Sequence, residues 1–150
     1  MARIHFRVET GLAPAAVLRV LTDFGPQRAD VWPNIDAAHF QLHEQGPDHA
    51  DVTEGSAVAG GVWERERYEW DAEAGTVSVV TSDSNTWGPG SRWDYRLTPR
   101  AGGGTEVDVR VVRIGKGAKG KLIELVIALT GTGRLRGDLE RVLRRAETAG

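Results

Sequence analysis

Polar and apolar residues alternate at the start of the chain, and the pattern then changes to a helical one. Ile4, Phe6 and Val8 alternate with charged or polar residues, which predicts a half-buried β-strand. Pro14 suits the first position of a helix, and the apolar residues that follow it keep helical spacing. Pro26 opens a second, shorter helical turn. The chain is therefore predicted to begin with one strand and two short helices.

Six further strands are predicted in the middle of the chain. They run from Ile35 through Phe40 and Leu42, from Ala50 to Ser56, from Val62 to Trp70, from Thr76 to Ser82, from Arg92 to Leu97 and from Val107 to Val111. Short turns separate them, so neighbouring strands are expected to pair antiparallel, with one apolar and one wet face. We therefore predict that Trp93, Tyr95 and Leu97 face the interior and that the charged residues between them face water.

One long helix is predicted from about Lys116 to Thr148. Its apolar residues recur every three or four positions at Leu125, Ala128, Thr132, Leu135, Leu139, Val142 and Ala146, with Leu122 and Leu129 beside this stripe. Such a helix would be about 48 Å long and would cross a whole domain. The two glycines and two threonines at 129–133 are poor helix formers. They predict either a kink or a need for room beside the helix.

The order of these elements predicts an α+β fold in a single domain that covers residues 1–150. A curved antiparallel sheet of seven strands, wrapped around the long C-terminal helix, would bury the apolar surfaces of both. The chain is long enough for one sizeable core, and no obvious linker divides it.

The order of elements and several short motifs resemble those of the START and polyketide-cyclase-like superfamily. The motifs are WPNID at 32–36, GVWER at 61–65, GSRWDYRLTP at 90–99 and GGTEV at 103–107. The resemblance covers essentially the whole chain and implies the helix-grip fold, which this superfamily shares with the birch pollen allergen. It also implies a hydrophobic cavity between sheet and helix, where members bind lipids, sterols, plant hormones or polyketides. Some members catalyse cyclisation or aromatisation there, but they share no catalytic motif that would assign catalytic residues here.

Composition narrows the possible classes of function. A net charge of −2 and a pI near 6.1 argue against a nucleic-acid-binding protein. The lack of cysteine excludes disulfides, thiolate metal sites and a cysteine nucleophile. The N-terminus lacks the apolar run of a signal peptide, and the most apolar segment, Leu122–Leu129, is too short to span a membrane. A cytoplasmic protein is therefore expected.

Two short segments resemble a nucleotide-binding motif and a metal-binding motif, but each departs from its motif in a feature that binding requires. The segment 115–122 (GKGAKGKL) comes within one residue of a phosphate-binding loop, but Leu122 replaces the hydroxyl residue that would hold magnesium. His39 and His43 would share a metal ion on a helix, whereas on the predicted strand they lie about 13 Å apart and point outward. We therefore expect no cofactor and no metal, although a weak anion site at the start of the long helix stays open.

The strand Val62–Trp70 allows two registers. If Tyr68 and Trp70 point into the cavity, a period of two sends Glu64 and Glu66 inward as well. A buried carboxylate would have a raised pKa and could act as a general base or bind a polar group of a ligand. The opposite register buries a tryptophan and two arginines and exposes both glutamates, and a β-bulge would change the phase midway. The sequence leaves both registers open.

The predicted ligand site combines strand aromatics with residues of the long helix. It contains Trp32, Phe40, Glu66, Tyr68, Trp70, Trp93, Tyr95, Leu125, Leu129, Thr132 and Gly133. We expect a monomer or weak dimer that binds a small hydrophobic molecule, such as a lipid or polyketide. One alternative is a polyketide aromatase/cyclase in which Tyr68, Glu66 or Tyr95 supplies acid–base help to an aldol step. Another is a protein-interaction module of the same fold, which a large exposed apolar patch would favour.

Overall fold

The computed structural model describes residues 1–149, and its elements follow the predicted order. The strands are β1 (Ala2–Thr10), β2 (Gln41–Gln45), β3 (His49–Ser56), β4 (Val62–Asp71), β5 (Thr76–Ser84), β6 (Arg92–Pro99) and β7 (Thr105–Arg113). The helices are α1 (Pro14–Leu21), α2 (Arg28–Val31) and α3 (Gly117–Ala149). Short 3₁₀ turns occupy Ala37–His39 and Val58–Gly60.

All seven strands form one antiparallel sheet in the order β1-β7-β6-β5-β4-β3-β2. Strands β2 to β7 form the predicted meander, because each pairs with the next one along the chain. The first strand, β1, pairs with the last, β7. The sheet is open, with edges at β1 and β2, and α3 packs against β1. This architecture confirms the predicted α+β helix-grip fold.

Part of the apolar core lies along β1 and β7, on the side where α3 packs against β1. Three inward residues of β1 pair with inward valines of β7, Ile4 with Val111, Phe6 with Val109 and Val8 with Val107. Leu139 and Leu143 of α3 belong to the same buried cluster. Because complete burial of one such side chain contributes about 1.5–3 kcal/mol, this layer contributes strongly to the free energy of unfolding.

The face of α3 that packs on the sheet is not the predicted one over the first half of the helix. The predicted residues Leu125, Leu129, Thr132 and Gly133 are exposed, whereas the buried residues are Gly120, Gly131, Leu139, Val142 and Leu143. Between residues 122 and 133 the helix carries apolar side chains on two faces, and the prediction followed the outer one. Even so, no part of the helices within residues 1–149 is long and apolar enough to cross a membrane.

Gly131 determines how closely α3 approaches the sheet. A Cβ atom at this position would lie 2.8 Å from Cδ1 of Ile4 and 2.9 Å from Cγ2 of Ile127. The glycine therefore lets the helix backbone lie close to β1. Of the poor helix formers at 129–133, Gly131 accommodates β1, whereas Gly133 has open space around it, and α3 continues through the segment as one helix of 33 residues.

The strand predicted from Ile35 begins later than expected. Residues 37–39 form a 3₁₀ turn, and β2 is an edge strand on which every residue, Leu42 included, is exposed. A register shift between Leu42 and Glu44 interrupts the pairing with β3. Leu42 lies before this shift and pairs with the buried Val52, so it is on the inner side of the sheet as predicted, but on the edge strand it is 39% exposed.

The two histidines of the candidate metal motif contact other side chains. His39 lies in the 3₁₀ turn with its ring 2.5 Å from Asp36, and His43 lies on β2 with its ring 2.7 Å from the hydroxyl of Thr53. Within residues 1–149 there is no group of three or more histidine, aspartate or glutamate side chains that could hold a metal ion.

The segment that resembles a phosphate-binding loop forms a close backbone crossing with the loop between β5 and β6. The amide of Lys116 donates to the carbonyl of Thr86 at 2.8 Å, and the amide of Gly115 donates to Glu124 at 2.5 Å. A Cβ atom on Gly120 would overlap the carbonyl oxygen of Thr86, and one on Gly115 would overlap that of Gly120. Packing of one backbone against another therefore requires glycine at both positions.

Gly120→Ala is expected to destabilise the fold, although alanine is the better helix former. The added methyl group meets a backbone carbonyl, so we expect a loss of roughly 1–3 kcal/mol or more in the free energy of unfolding. Gly133, on the same helix, has open space around it, and Gly133→Ala should gain about 0.5–1 kcal/mol. Urea denaturation of both variants measures the difference. Equal stability of the two variants would contradict the crossing described above.

Candidate functional site

The inner face of β4 carries two glutamates and a tyrosine. Glu64, Glu66 and Tyr68 are buried, whereas Arg65 is exposed and Trp70 is half-buried at the end of the strand. The alternation is unbroken along this strand, so β4 has the first of the two registers that the sequence allowed. Two carboxyl groups therefore point into the interior from backbone positions that lie about 7 Å apart along the strand.

A β-bulge on β5 determines which side chains lie opposite these carboxyls. Strand β5 has one extra residue, Ser82, opposite β4. Because of it, Thr81 and Ser84 are both buried on the inner face, although they are three residues apart. The hydroxyl of Thr81 donates to Glu64 Oε2 at 2.8 Å. The bulged strand thus supplies Glu64 with an uncharged hydrogen-bond donor.

Glu64 forms a bidentate ion pair with Arg113 of β7. Nη1 and Nη2 of Arg113 donate to the two carboxylate oxygens at 2.8 and 2.9 Å. The guanidinium carbon also lies 5.0 Å from the ring centroid of Trp87 and 5.2 Å from that of Trp93. Strands β5 and β6 separate β4 from β7, which would place the partners' backbones about 14 Å apart on a flat sheet. The pair forms because the sheet curls.

A second buried charge cluster links α2 to β3 and β4. Nε of Arg28 donates to Glu54 at 2.6 Å, and Nη2 donates to the hydroxyl of Tyr68 at 2.9 Å. Nη1 donates to two backbone carbonyls at the end of α1. The guanidinium carbon lies 4.6 Å from the ring centroid of Phe24. Arg28 is therefore bonded on all sides and holds the short helix α2 against the sheet.

Glu66 follows Glu64 on the same face of β4, but it has no ion pair within residues 1–149. Burial, together with the negative charges of Glu64 and Glu54, raises the pKa of Glu66 well above its ordinary value of 4.5. Burial acts on Glu64 as well, but Arg113 outweighs it and lowers the pKa of Glu64. We therefore expect Glu66 to stay protonated at neutral pH and to share a hydrogen bond with the Glu64 carboxylate.

A cavity lies between these polar groups, α3 and the loop that follows α2. Its apolar walls are formed by Phe6, Leu21, Trp32, Ile35, Val79, Trp93, Leu135 and Leu139. Its polar lining consists of Asn34, of Asp138 on α3 and of a group that we call the floor, Arg28, Glu54, Glu64, Glu66, Tyr68, Tyr95 and Arg113. The space open to the centre of a water molecule is about 50 Å³, and the whole hollow with its mouth measures about 650 Å³. The enclosed part holds a few water molecules, so a larger ligand must extend into the mouth.

The structure brings together about half of the predicted site. Trp32, Glu66, Tyr68, Trp93 and Tyr95 line the cavity, and their role in ligand binding stays a prediction. Phe40 and Trp70 pack against the core outside the cavity. Leu125, Leu129, Thr132 and Gly133 point to solvent, because the opposite face of α3 packs on β1. The helix lines the cavity further along, with Leu135, Asp138 and Leu139.

Trp93 and Tyr95 form a flat wall of the cavity. Their ring planes differ by 9° and their centroids lie 6.3 Å apart, because successive inward residues of β6 stand side by side. The Tyr95 hydroxyl has no hydrogen-bond partner within residues 1–149. Every fully buried polar side-chain atom of these residues does have a partner, so the Tyr95 hydroxyl is open to the cavity. Burial and the nearby Glu66 raise the pKa of Tyr95 above its ordinary value of 10.0, so the phenol stays neutral. Glu66 and Tyr95 are therefore the floor groups best placed to bind a polar group of a ligand.

Sequence reasoning did not select three charged residues of the floor. Glu54 continues the inward alternation of β3, and Arg113 continues that of the inward valines of β7. A period of two therefore marks both as inward, and this signal was available. Arg28 lies on a helix of four residues, which is too short to show a period.

Comparison with protein-family models and with curated proteins finds no match. Similar folds occur among solved structures. A protein from Thermus thermophilus has a TM-score of 0.79 and 13% identity over 99% of both chains. The Zhui aromatase/cyclase from Streptomyces sp. R1128 has a TM-score of 0.78 and 16% identity over 97% of this chain and 93% of that one. A START superfamily protein from Mycobacterium smegmatis has a TM-score of 0.75 and 12% identity over 97% and 99%. These similarities show the START/polyketide-cyclase-like fold that the motifs indicated.

Glu66→Gln is expected to stabilise the protein at neutral pH. The unfolded chain releases the proton of Glu66 near the ordinary pKa of 4.5, whereas the folded protein releases it at a higher pH. Between these two pKa values the folded state binds more protons, so stability falls as the pH rises through this window. Glutamine cannot ionise and removes that loss. The gain in melting temperature should therefore grow from about pH 4.5 towards neutral pH and vanish in more acidic solution.

The same replacement at Glu64 is the matched control and should have the opposite effect. Glu64→Gln leaves Arg113 as a buried cation without its counter-ion, which is expected to cost about 3–5 kcal/mol of unfolding free energy. Thermal melts of both variants at neutral pH test the two roles. A similar loss of stability in both would mean that Glu66 is also an ionised partner, contrary to the assignment made here.

Proposed function

We propose that this protein binds a small, mostly apolar and uncharged molecule in the cavity, and that Glu66 and Tyr95 hold the ligand's polar end. The observation that carries the proposal is a buried carboxyl group, to which no cation of residues 1–149 is paired, in the lining of an apolar-walled cavity. Ligand pockets typically combine apolar walls with a few polar groups that fix the ligand's orientation. A leucine at position 66 would avoid the cost of burying a carboxyl group, so a role in binding explains this residue better than stability does.

The charges of the floor favour an uncharged ligand. Arg28 and Arg113 are each paired with a glutamate, so an anionic ligand would have to compete with a buried carboxylate for either cation. A cationic ligand would have to compete with a buried arginine for either carboxylate. A hydroxyl or carbonyl group of a ligand would disturb neither ion pair, because Glu66 offers an oxygen that accepts a hydrogen bond and Tyr95 offers a hydroxyl that donates one.

The shape of the cavity supports a ligand with a planar part. The parallel rings of Trp93 and Tyr95 present a flat apolar surface, on which a ring or a conjugated chain packs well. Because the enclosed volume is small, the rest of such a ligand would extend into the mouth, past half-buried lining residues such as Trp32 and Leu135.

A polyketide aromatase/cyclase activity in the same cavity is the second candidate. The flat wall of Trp93 and Tyr95 and the fold shared with the Zhui aromatase/cyclase support it. In an aldol cyclisation one carbonyl oxygen gains a proton and a carbon beside another carbonyl loses one. A protonated Glu66 and the hydroxyl of Tyr95 suit the first of these roles. Tyr68 suits neither, because its hydroxyl is bound to Arg28 and Glu54.

Naphthol is a suitable probe of the cavity, because it is small, planar and uncharged and carries one hydroxyl group. We expect the parent protein to bind it and Leu135→Trp to weaken binding at least tenfold, since the indole ring occupies the ligand's space. Leu129→Trp puts the same side chain on the solvent-facing side of the same helix and should leave the affinity unchanged. Equilibrium dialysis measures both, and a thermal melt of each variant detects overpacking, which would cost about 1–3 kcal/mol.

Tyr95→Phe tests the polar end of the site. It removes one hydroxyl group and should weaken naphthol binding roughly 2- to 10-fold while leaving the binding of naphthalene unchanged. Absence of naphthol binding to the parent, or equal affinity of the parent and Leu135→Trp, would refute the proposal. An equal loss for naphthol and naphthalene would mean that Tyr95 serves only as a wall.

A further inference from the structure

The first half of α3 presents a row of large apolar side chains to solvent. Leu122, Leu125, Val126 and Leu129 are 64, 56, 48 and 77% exposed. Their spacing of three and four residues places them on one face of the helix, which we call the apolar ridge. Gly131 lies on the other face, against β1. Soluble monomers rarely leave such a continuous apolar surface in water, so the ridge is expected to meet a partner.

A neighbouring loop extends the apolar ridge. Val58, in the 3₁₀ turn between β3 and β4, is 56% exposed. Just after this turn, the carbonyl of Gly61 accepts a hydrogen bond from Nζ of Lys119 at 2.9 Å. Lys119 lies one helical turn before Leu122. The turn and the start of the ridge therefore lie side by side.

The surface around the ridge is basic, although the whole chain has a net charge of −2. The cations of the segment 115–137 are Lys116, Lys119, Lys121, Arg134 and Arg136, and its one acidic residue is Glu124. Arg136 is paired with Glu140 at 2.9 Å. The Glu124 side chain binds the N-terminal ammonium group of Met1 and the amide of Gly115, and it lies 3.3 Å from Lys121. Positive charge is therefore concentrated at the start of the ridge, with Arg134 at its other end, and the carboxylate of Glu124 is already bonded.

We propose that the apolar ridge docks this protein on an anionic lipid bilayer, with the first half of α3 lying along the membrane surface. The leucine and valine side chains enter the boundary between headgroups and acyl chains, and the flanking cations contact lipid phosphates. A bilayer adapts to a convex row of side chains, so no groove of matching shape is needed.

Two other partners fit the ridge less well. A second copy of the chain would bring two basic surfaces together, and their repulsion opposes a dimer through the ridge. Protein interfaces are typically rich in aromatic residues and poor in lysine, whereas the ridge has no aromatic residue and three lysines at its start. Leucine and valine beside lysine are typical of helices that lie in a membrane interface.

Docking through the ridge also brings the cavity close to the bilayer. Leu135, which lines the cavity, follows Leu129 by six residues, or about 9 Å along the helix axis. An apolar ligand dissolved in the lipid would then have a short path to the cavity. The docking surface itself does not depend on the proposed ligand site.

Co-sedimentation with lipid vesicles tests the proposal. We expect the protein to bind vesicles rich in phosphatidylglycerol and to bind vesicles of pure phosphatidylcholine roughly tenfold or more weakly. Leu125→Glu/Leu129→Glu should abolish binding, and Lys119→Gln/Lys121→Gln should weaken it roughly 10- to 30-fold. The matched control is Arg96→Gln/Arg110→Gln, which removes the same charge from exposed positions of β6 and β7. It should change binding little, and a thermal melt confirms that each variant is folded.

Three results would overturn the proposal. The first is a parent protein that does not sediment with anionic vesicles. The second is an equal loss of binding in the control variant, which would indicate a diffuse charge effect. The third is a dimer that ignores vesicles and that Leu125→Glu/Leu129→Glu converts to a monomer, which would assign the ridge to a second copy. Leu135→Trp should bind vesicles like the parent, so failure at the cavity and failure at the ridge are separate results.

Discussion

The bidentate ion pair between Glu64 and Arg113 is the interaction on which the shape of the interior depends. Its partners lie on β4 and β7, with two strands between them, and they meet only across the hollow side of a curled sheet. Two charges are buried at low cost only when both are fully bonded. Here Thr81 donates a further hydrogen bond, and two tryptophan rings enclose the guanidinium group. The pair stabilises the curvature that separates the sheet from α3 and leaves room for the cavity.

The protonation of the rest of the floor follows from this pair. Because Glu64 is ionised and bound to Arg113, a second carboxylate beside it on β4 would have no cation, and Glu66 is expected to keep its proton. Glu54 is paired with Arg28 at the other side of the cavity. Two cations, two carboxylates and one neutral acid give a floor without net charge, and Asp138, which lines the cavity from α3, is paired with Arg141 at 3.6 Å. This balance is the physical basis for proposing an uncharged ligand that carries a hydrogen-bonding group.

The fold could be predicted from hydrophobic periods, whereas the site depends on contacts between distant elements. A period of two limited the glutamates of β4 to two registers. The same period, followed along β3 to Glu54 and along β7 to Arg113, would also have placed these two residues inside. Nothing local marks Arg28, because α2 is a single turn. The face of α3 was predicted wrongly because its first half is apolar on two sides, and periodicity cannot tell which side meets the sheet. Gly131 decides this through its close approach to Ile4, a contact that only the folded structure reveals.

The protonation state of Glu66 is the central claim, and infrared spectroscopy of the carboxyl groups tests it most directly. Carboxyl groups with ordinary pKa values are ionised at neutral pH and give no C=O stretching band of a carboxylic acid. We predict that the parent protein shows such a band at neutral pH and that Glu66→Gln removes it. A parent spectrum without the band, or a band that Glu66→Gln leaves unchanged, would contradict the neutral floor and the class of ligand proposed from it.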